Sequence, residues 1–557
     1  MFQFTRLVFV AATAIHLAGA YNVPRASLSS YAGASTSFAY LPNATITIPD
    51  PNYPYASVVG HAGPTPTGDE AEAIATATAL AKVDSIFPLT RPDTEDHKGT
   101  TFNVERSWGN LSPMWSLDAG TFGLNESSAV IPEGCSLTQA HLIHRHGARY
   151  PTTGAAPAQF AAALQNATAT VNVTGPLEFL STWTYKLGGE LLTPFGREEL
   201  YSLGVGFRVR YGELLKGFND FPVWRTTSEA RMVDSALQFT AGFFGVQAYQ
   251  DSYHEVIEIE DTGFNSTLAS WNACDNANND VANYGFDQAD KWADIYTAPI
   301  IERLSQYITG FNLTSSYITG MQETCAYETV ALGYSSFCSV FTEEEWKQFE
   351  YYLDLQFWYV YGPGNPAVAA QGVGWLQELV SRLTQTRITT FATSVNETIV
   401  SSNVTFPLYQ PIFVDASHDT IISAILTAMN LTYFSAPGPL PTDHIQDGQT
   451  WITPTFSPFA ANMVGQVLSC PASDTPTHIR FVLNDAVVPL AGIQGCDTGD
   501  KDGLCELDKF LSGLQARIDE IDYQFDCFAN YTVPDPDTIT DGRYPDALKN
   551  STTSARR

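Results

Sequence analysis

His141-Leu142-Ile143-His144-Arg145-His146-Gly147-Ala148-Arg149-Tyr150-Pro151 is the stretch from which the rest of the chain can be read. Ser136 to Ile143 reads as a short strand running into a loop. Gly147 then permits a tight turn with close backbone approach. Within this stretch stand three histidines and two arginines, in a chain of 557 residues with only 28 Lys+Arg and ten His. Such a local reversal of sign makes physical sense against an anion. Arginine forks match phosphate oxygens bidentately. An imidazole held among arginines stays neutral and nucleophilic, because nearby cations disfavour its protonation. Two other readings stay open on this stretch alone. One is a three-histidine metal site, which Arg145 and Arg149 would oppose by repulsion. The other is a paired, structural basic loop.

Two later places offer what an anion site would need. Ser417-His418-Asp419 follows the short apolar strand Ile412-Phe413-Val414 and precedes a helix expected from Thr420 to Leu431. A helix N-terminus attracts anions through its free N–H groups. Beside a bound phosphate, Asp419 would have its pKa raised by like charge, which suits a general acid. A simple helix cap is the alternative for this His-Asp pair. Arg231 falls in the first turn of a helix that Ser228 is expected to cap, with Val233, Leu237, Ala241 and Phe244 at helical spacing. A cation there opposes the helix dipole unless an anion binds beside it. An exposed arginine without a role is the alternative.

The surrounding composition narrows the class. With 59 Asp+Glu the net charge is -31, and hydrophobic residues make up 44% against 16% charged. That supplies ample core and excludes a disordered chain. The acidity argues against general affinity for nucleic acid or an anionic membrane. A low charge fraction with a low pI fits a secreted protein. The N-terminus agrees: Arg6, the largely apolar Leu7 to Leu17 and Ala18-Gly19-Ala20 read as a signal peptide over 1–20. No later run is long and apolar enough for a membrane span, and the C-terminus lacks a lipid-anchor signal. Twelve N-x-S/T sites, from Asn43 and Asn110 to Asn550, make N-glycans expected. Eight cysteines suit disulfides, but the count leaves 105 pairings open. No spacing of zinc-site type is present.

Along the chain, 21–106 reads as an Ala/Pro/Ser/Thr-rich leader with one helix near 69–81. Globular composition runs from 107 to 533, and 534–557 is a polar tail expected to be loose. Thr193-Pro194 predicts an N-cap and a first-turn proline for a helix through Tyr201, Leu203 and Phe207. Thr342 with Glu345 predicts a capping box for a helix to about Tyr361. Ile479 to Leu483 is a strand that Asn484-Asp485 turns into Val487-Val488. Strands dominate both ends around a helical middle. The expected architecture is a mixed-sheet α/β domain with helices on both faces, its core at about 107–255 and 405–533. A mostly helical insertion occupies about 255–405.

Arg145-His146-Gly147-Ala148-Arg149-Tyr150-Pro151 with the later His418-Asp419 resembles the signature of the histidine acid phosphatases, branch 2 of the histidine phosphatase superfamily. Trp108-Gly109 with Ser112-Pro113, Leu192-Thr193-Pro194-Phe195-Gly196, Gly364-Asn365-Pro366, Gln371-Gly372-Val373-Gly374 and Val482-Leu483-Asn484-Asp485 resemble its secreted fungal phytases. The resemblance covers about 107 to 530. It implies that His146 attacks phosphorus and becomes a phosphohistidine. It assigns the phosphoryl oxygens to Arg145, Arg149, Arg231 and His418, and proton donation to Asp419. Arg231 is taken over Arg225 as the second of the family's paired arginines. The resemblance also implies disulfides Cys135–Cys470, Cys274–Cys527, Cys325–Cys338 and Cys496–Cys505, and no metal or other cofactor.

One departure bears on substrate. The family's phytases place lysines after the signature and in a later helix, but Thr152 to Phe160 and Leu355 to Tyr359 here carry no cation. A hexaphosphate needs several cations to offset its self-repulsion. The expectation is therefore a secreted acid phosphatase acting on small phosphate monoesters, with phytate as one candidate substrate. A phytate-selective 3-phytase is the alternative. A catalytically silent binding protein on the same fold is a further one, which would predict a lost His146 or Asp419.

Overall fold

The structure is a computed structural model and describes residues 102–552 except 168, 437, 497–498 and 536–537. The signal-peptide segment, the leader to 101 with its expected helix, and Asn43 lie outside the described residues.

Eight strands make one sheet: β1 (Ser136–Arg145), β2 (Val223–Thr227), β3 (His254–Glu258), β4 (Ile412–Ser417), β5 (Asn462–Ser469), β6 (Thr477–Leu483), β7 (Ala486–Val488) and β8 (Cys505–Glu506). Their order in space is β8-β6-β5-β1-β4-β2-β3, with β7 on β6. Strands β1, β4, β2 and β3 run parallel, whereas β5, β6, β7 and β8 pair antiparallel. The sheet is therefore mixed, as expected. β1 sits between β4 and β5 and is buried from Ala140 onward. That placement explains why β1 extends two residues past the expected Ile143: both edges stay paired as far as His144 and Arg145.

Helices cover both faces. The longer helices of the described residues are α1 (Ala156–Asn166), α2 (Pro194–Tyr211), α3 (Ala230–Phe244), α4 (Asp280–Ser305), α5 (Ser315–Leu332), α6 (Glu343–Tyr359), α7 (Val368–Thr384), α8 (Asp419–Ala428) and α9 (Leu507–Glu520). Alternate residues of β1 enter different cores, as the period of a strand requires. Ala140 and Leu142 join Leu203, Phe207, Phe239 and Phe243 of α2 and α3. Ile143 joins Leu376, Ile425 and Leu514 of α7, α8 and α9. Between β3 and β4 the chain is largely helical, with α4 packed on α5 and α6, and α1 on α5.

Local chemistry sets several helix ends. Thr193 caps α2 through the Gly196 N–H, ahead of Pro194. Thr342 and Glu345 form the full capping box of α6. Asn484 and Asp485, at φ 46° and 74°, make the expected tight turn from β6 to β7. α3 differs from expectation. Its N-cap is Glu229, and the Ser228 hydroxyl instead accepts the Glu260 N–H at 2.9 Å, tying the ends of β2 and β3 together. α8 begins one residue early, at Asp419, and stops at Ala428 ahead of Asn430, which takes φ 54°.

Four disulfides join Cys135 to Cys470, Cys274 to Cys527, Cys325 to Cys338 and Cys496 to Cys505, the pairs implied by the resemblance. Within the tail expected to be loose past 533, the stretch around 539–544 is packed instead. Ile539 and Tyr544 are buried, Tyr544 lies against Tyr531, and Arg517 holds Asp541. Aromatic anchoring within an otherwise polar segment explains the difference.

Candidate active site

The site lies where four parallel strands end side by side, the edge of an α/β sheet at which loops converge. In register, Arg145 of β1 stands opposite Ser417 of β4. The next residues of the two strands, His146 and His418, consequently meet, with ring centroids 5.7 Å apart. β2 leads into α3 and Arg231, and β3 leads to Glu260. Parallel pairing thus gathers residues far apart in sequence.

His146 is buried, and two contacts fix its ring and backbone. Its Nδ1 lies 2.8 Å from the carbonyl of Gly147, so Nδ1 carries the proton and Nε2 keeps its lone pair. Its N–H donates to the Ser417 carbonyl at 3.2 Å. Burial, then the charges of Arg145, Arg231 and Arg149, hold its pKa well below the usual imidazole range. The ring is therefore biased towards its neutral form. Gly147 is obligatory for this turn: a Cβ would fall 2.1 Å from the carbonyl oxygen of Gly196. The Ala148 N–H after it donates to the buried Glu199 at 2.7 Å.

Arg145 is fully buried. Its guanidinium bonds the carbonyls of Asn110 and Ser457, stands 2.8 Å from Asp419 Oδ2 and stacks over Phe459. Asp419 Oδ2 also accepts from Asn110 Nδ2 at 2.9 Å, and Oδ1 accepts the Thr420 N–H. Burial alone would raise the Asp419 pKa. Arg145, the Asn110 hydrogen bond and Arg149 outweigh it and hold the carboxyl below its ordinary value. The protein groups by themselves thus set Asp419 opposite to the raised value expected beside a phosphate.

Arg231 stands in the first turn of α3, as read, and is ion-paired to Glu190 at 3.0 Å and to Glu229. His418 Nε2 meets Glu260 at 3.0 Å, and its ring packs edge-on against Trp271. Arg149 donates to the Tyr150 carbonyl at 3.0 Å. Arg225 lies elsewhere: buried, it engages Asp415, Glu258 and Glu378 at 2.8, 3.1 and 2.7 Å. The structure thus brings His146, Arg145, Arg149, Arg231, His418 and Asp419 to one strand-end edge and keeps Arg225 in the interior.

Several neighbours escaped the sequence reading. Glu190, Glu229 and Glu260 surround Arg231 and His418, and Glu199 supports the turn. The pairings of Glu190 and Glu260 cross 41 and 158 residues, and that of Glu229 with Arg231, two residues on, follows no helical spacing. Asn110 was visible only as a glycosylation site, yet its side chain belongs to the acid. Glu229, Glu260 and His418 offer ligand-type atoms within 4.8 Å of one another. Arg231 already holds Glu229, and the nearby guanidinium groups make this a poor place for a cation.

Comparison with known proteins agrees with the geometry. The family description of the histidine phosphatase superfamily (branch 2) matches residues 136–484. Phytase A of Aspergillus oryzae is 33% identical over 430 residues, covering 74% of this chain and 88% of the relative. A Phytase A of Aspergillus terreus is 34% identical over 440 residues, covering 75% and 90%. Among solved structures, the phytase from D. castellii shares the fold at a TM-score of 0.64 and 24% identity, covering 79% of this chain and 92% of its own. A multiple inositol polyphosphate phosphatase of Bifidobacterium longum, solved with inositol hexasulfate, does so at 0.52 and 13%, covering 73% and 97%. The chain belongs to branch 2 of the histidine phosphatase superfamily and is a phosphoric monoester hydrolase.

Proposed function

We propose that the chain is a secreted acid phosphatase that transfers phosphoryl groups from small monoesters to His146 and then to water. The observation that carries this reading is the neutral, Nδ1-anchored His146 set among Arg145, Arg149 and Arg231 with Asp419 at Arg145. Arg145, Arg149, Arg231 and His418 hold the phosphoryl oxygens and stabilise the charge that spreads over them in the transition state. His146 Nε2 attacks phosphorus; the N–P bond forms as the ester O–P bond breaks. Asp419 gives its proton to the leaving oxygen. Its carboxylate then takes a proton from water, whose oxygen attacks phosphorus and releases His146. A bound phosphate draws on the charge of Arg145 and adds its own like charge, so substrate binding itself returns a proton to Asp419.

Secretion is supported by the N-terminal pattern at 1–20, the four disulfides and the sequons. Among the described residues no helix is long and apolar enough to cross a membrane. N-glycans belong on exposed sequons such as Asn125, Asn172 and Asn312 and not on Asn110, whose amide is committed to Asp419.

The relatives' names make phytate a substrate to test, and its selective hydrolysis is the second reading. Two observations favour the broader one: Thr152 to Phe160 and Leu355 to Tyr359 carry no cation, and Glu190, Glu229 and Glu260 border the proposed phosphoryl ligands. The test is kcat/KM for p-nitrophenyl phosphate and phytate at about pH 3–6, without added metal. Simple monoesters should be used at least as well as phytate, and His146→Ala should abolish both activities. A strong phytate preference would overturn the substrate reading. Full activity in His146→Ala would overturn the mechanism.

A further inference from the structure

Arg231 is not a free phosphate ligand. Glu190 Oε2 accepts a hydrogen bond from its guanidinium at 3.0 Å, and the Glu229 carboxylate forms a second ion pair with it. The Glu190 contact is built rather than incidental. Glu190 follows Gly188-Gly189 at φ 65°, a left-handed conformation that costs a non-glycine residue energy. Its other oxygen accepts the Thr153 N–H at 2.8 Å, and its own N–H donates to the Pro151 carbonyl. The loop is thereby fastened to the segment that leaves the signature turn. A carboxylate oxygen and a phosphoryl oxygen compete for the same guanidinium N–H groups.

We propose that Glu190 and Glu229 are internal competitors of the substrate phosphoryl group at Arg231, and that they set how substrate capture depends on acidity. This rests on the reading of Arg231 as a phosphoryl ligand. With both glutamates ionised, a phosphate must displace two carboxylates to reach the guanidinium. Loss of the Glu229 charge in acid weakens that competition and turns Arg231 to the substrate.

The other charged groups facing Arg231 leave this assignment to the two glutamates. From the β1 end, Arg145 and Arg149 keep their charge, and His146 stays neutral. From the β3 end, Glu260 is committed to His418 of the β4 end. Burial, then Glu260, raise the Glu229 pKa, so this carboxylate yields early as pH falls.

The test uses the full chain with Glu190→Gln, Glu229→Gln and the double substitution, which keep side-chain size. For each, kcat/KM with p-nitrophenyl phosphate and the Ki of inorganic phosphate are measured from pH 3 to 7. The variant-to-parent ratio at each pH cancels the ionisation of the ligand itself. The expected ratio of kcat/KM rises with pH and reaches about fivefold at pH 6.5, with a matching fall in phosphate Ki. A ratio that is flat with pH, or below one throughout, would overturn the proposal and make the glutamates bystanders or supports of Arg231. Full activity in His146→Ala is a separate outcome, and would remove the site on which the proposal stands.

Discussion

In the proposed mechanism, His146 is made a nucleophile by subtraction. Burial and three guanidinium groups remove its proton, and Gly147 fixes which nitrogen remains basic. Asp419 is tuned from the opposite direction, since Arg145 and Asn110 hold its pKa below the ordinary value, which in the proposed cycle a bound phosphate reverses. Deleting the Asn110 donor removes one stabiliser of the carboxylate and so raises the pKa of Asp419. Asn110→Leu should extend the basic limb of the kcat/KM profile by about half to one pH unit, the size of one net hydrogen bond. An unmoved or acid-shifted limb would show that Asn110 does not act on the acid. At this scale the sequence was most legible where residues are consecutive. Arg145, His146 and Arg149 stand in one turn, and His418 with Asp419 in another. Asn110 and Glu190 were not legible, because Asn110 meets Asp419 across 309 residues and Glu190 meets Arg231 across 41.

Strand pairing turns those two short motifs into one site. β1 and β4 are held in register by their ladder, and beneath their ends lies a buried ion network. In it Asp415 of β4 accepts from Arg225 of β2 and from Arg382 of α7, while Arg225 also holds Glu258 of β3 and Glu378 of α7. The network fixes three parallel strands whose next residues supply His418, Arg231 and Glu260. Arg225→Met would leave Asp415, Glu258 and Glu378 short of a buried partner, a loss of about 3–5 kcal/mol. Its Tm should fall by about 5 °C or more, read by calorimetry or dye binding. An unchanged Tm would mean that the network contributes nothing to the fold. Elements with caps and turns of their own were legible at this scale, notably α2, α6 and the β6–β7 turn. The cap of α3 was not, because Ser228 is claimed by a backbone N–H of another strand end. The packed segment past 533 was missed for a related reason: its anchors are single aromatic and arginine contacts rather than a periodic pattern.

For the whole molecule, the net charge of -31 and the buried carboxyls point to an acid working range. Burial pushes Glu199 and Glu350 up to about 8 and Glu258, Glu323, Asp354 and Asp526 up to about 7. A carboxyl raised in the folded state binds its proton more tightly folded than unfolded. Between its ordinary value near 4 and its raised value, stability therefore falls as pH rises. Asp415 runs the other way. Burial is outweighed by Arg225 and Arg382, so its contribution is present above its ordinary value and lost in stronger acid. Tm should thus peak near pH 4–5 and fall by about 5 °C or more by pH 8. A Tm that climbs steadily to pH 7 would contradict these assignments. Fold class was readable from the order of strand and helix patterns. Acid tolerance was readable only as a net charge, because which carboxyls are buried is decided by packing.

The most direct measurement is on the covalent intermediate. Asp419→Asn lacks the group that activates water, while p-nitrophenol leaves without needing a proton, so a phosphoenzyme should accumulate with p-nitrophenyl phosphate. After an alkaline quench, which preserves phosphohistidine, mass spectrometry of the peptide containing Arg145 to Pro151 should place the phosphate on His146. The same experiment with His146→Ala should show none. Phosphate on another residue, or full turnover by His146→Ala, would contradict nucleophilic catalysis at this site.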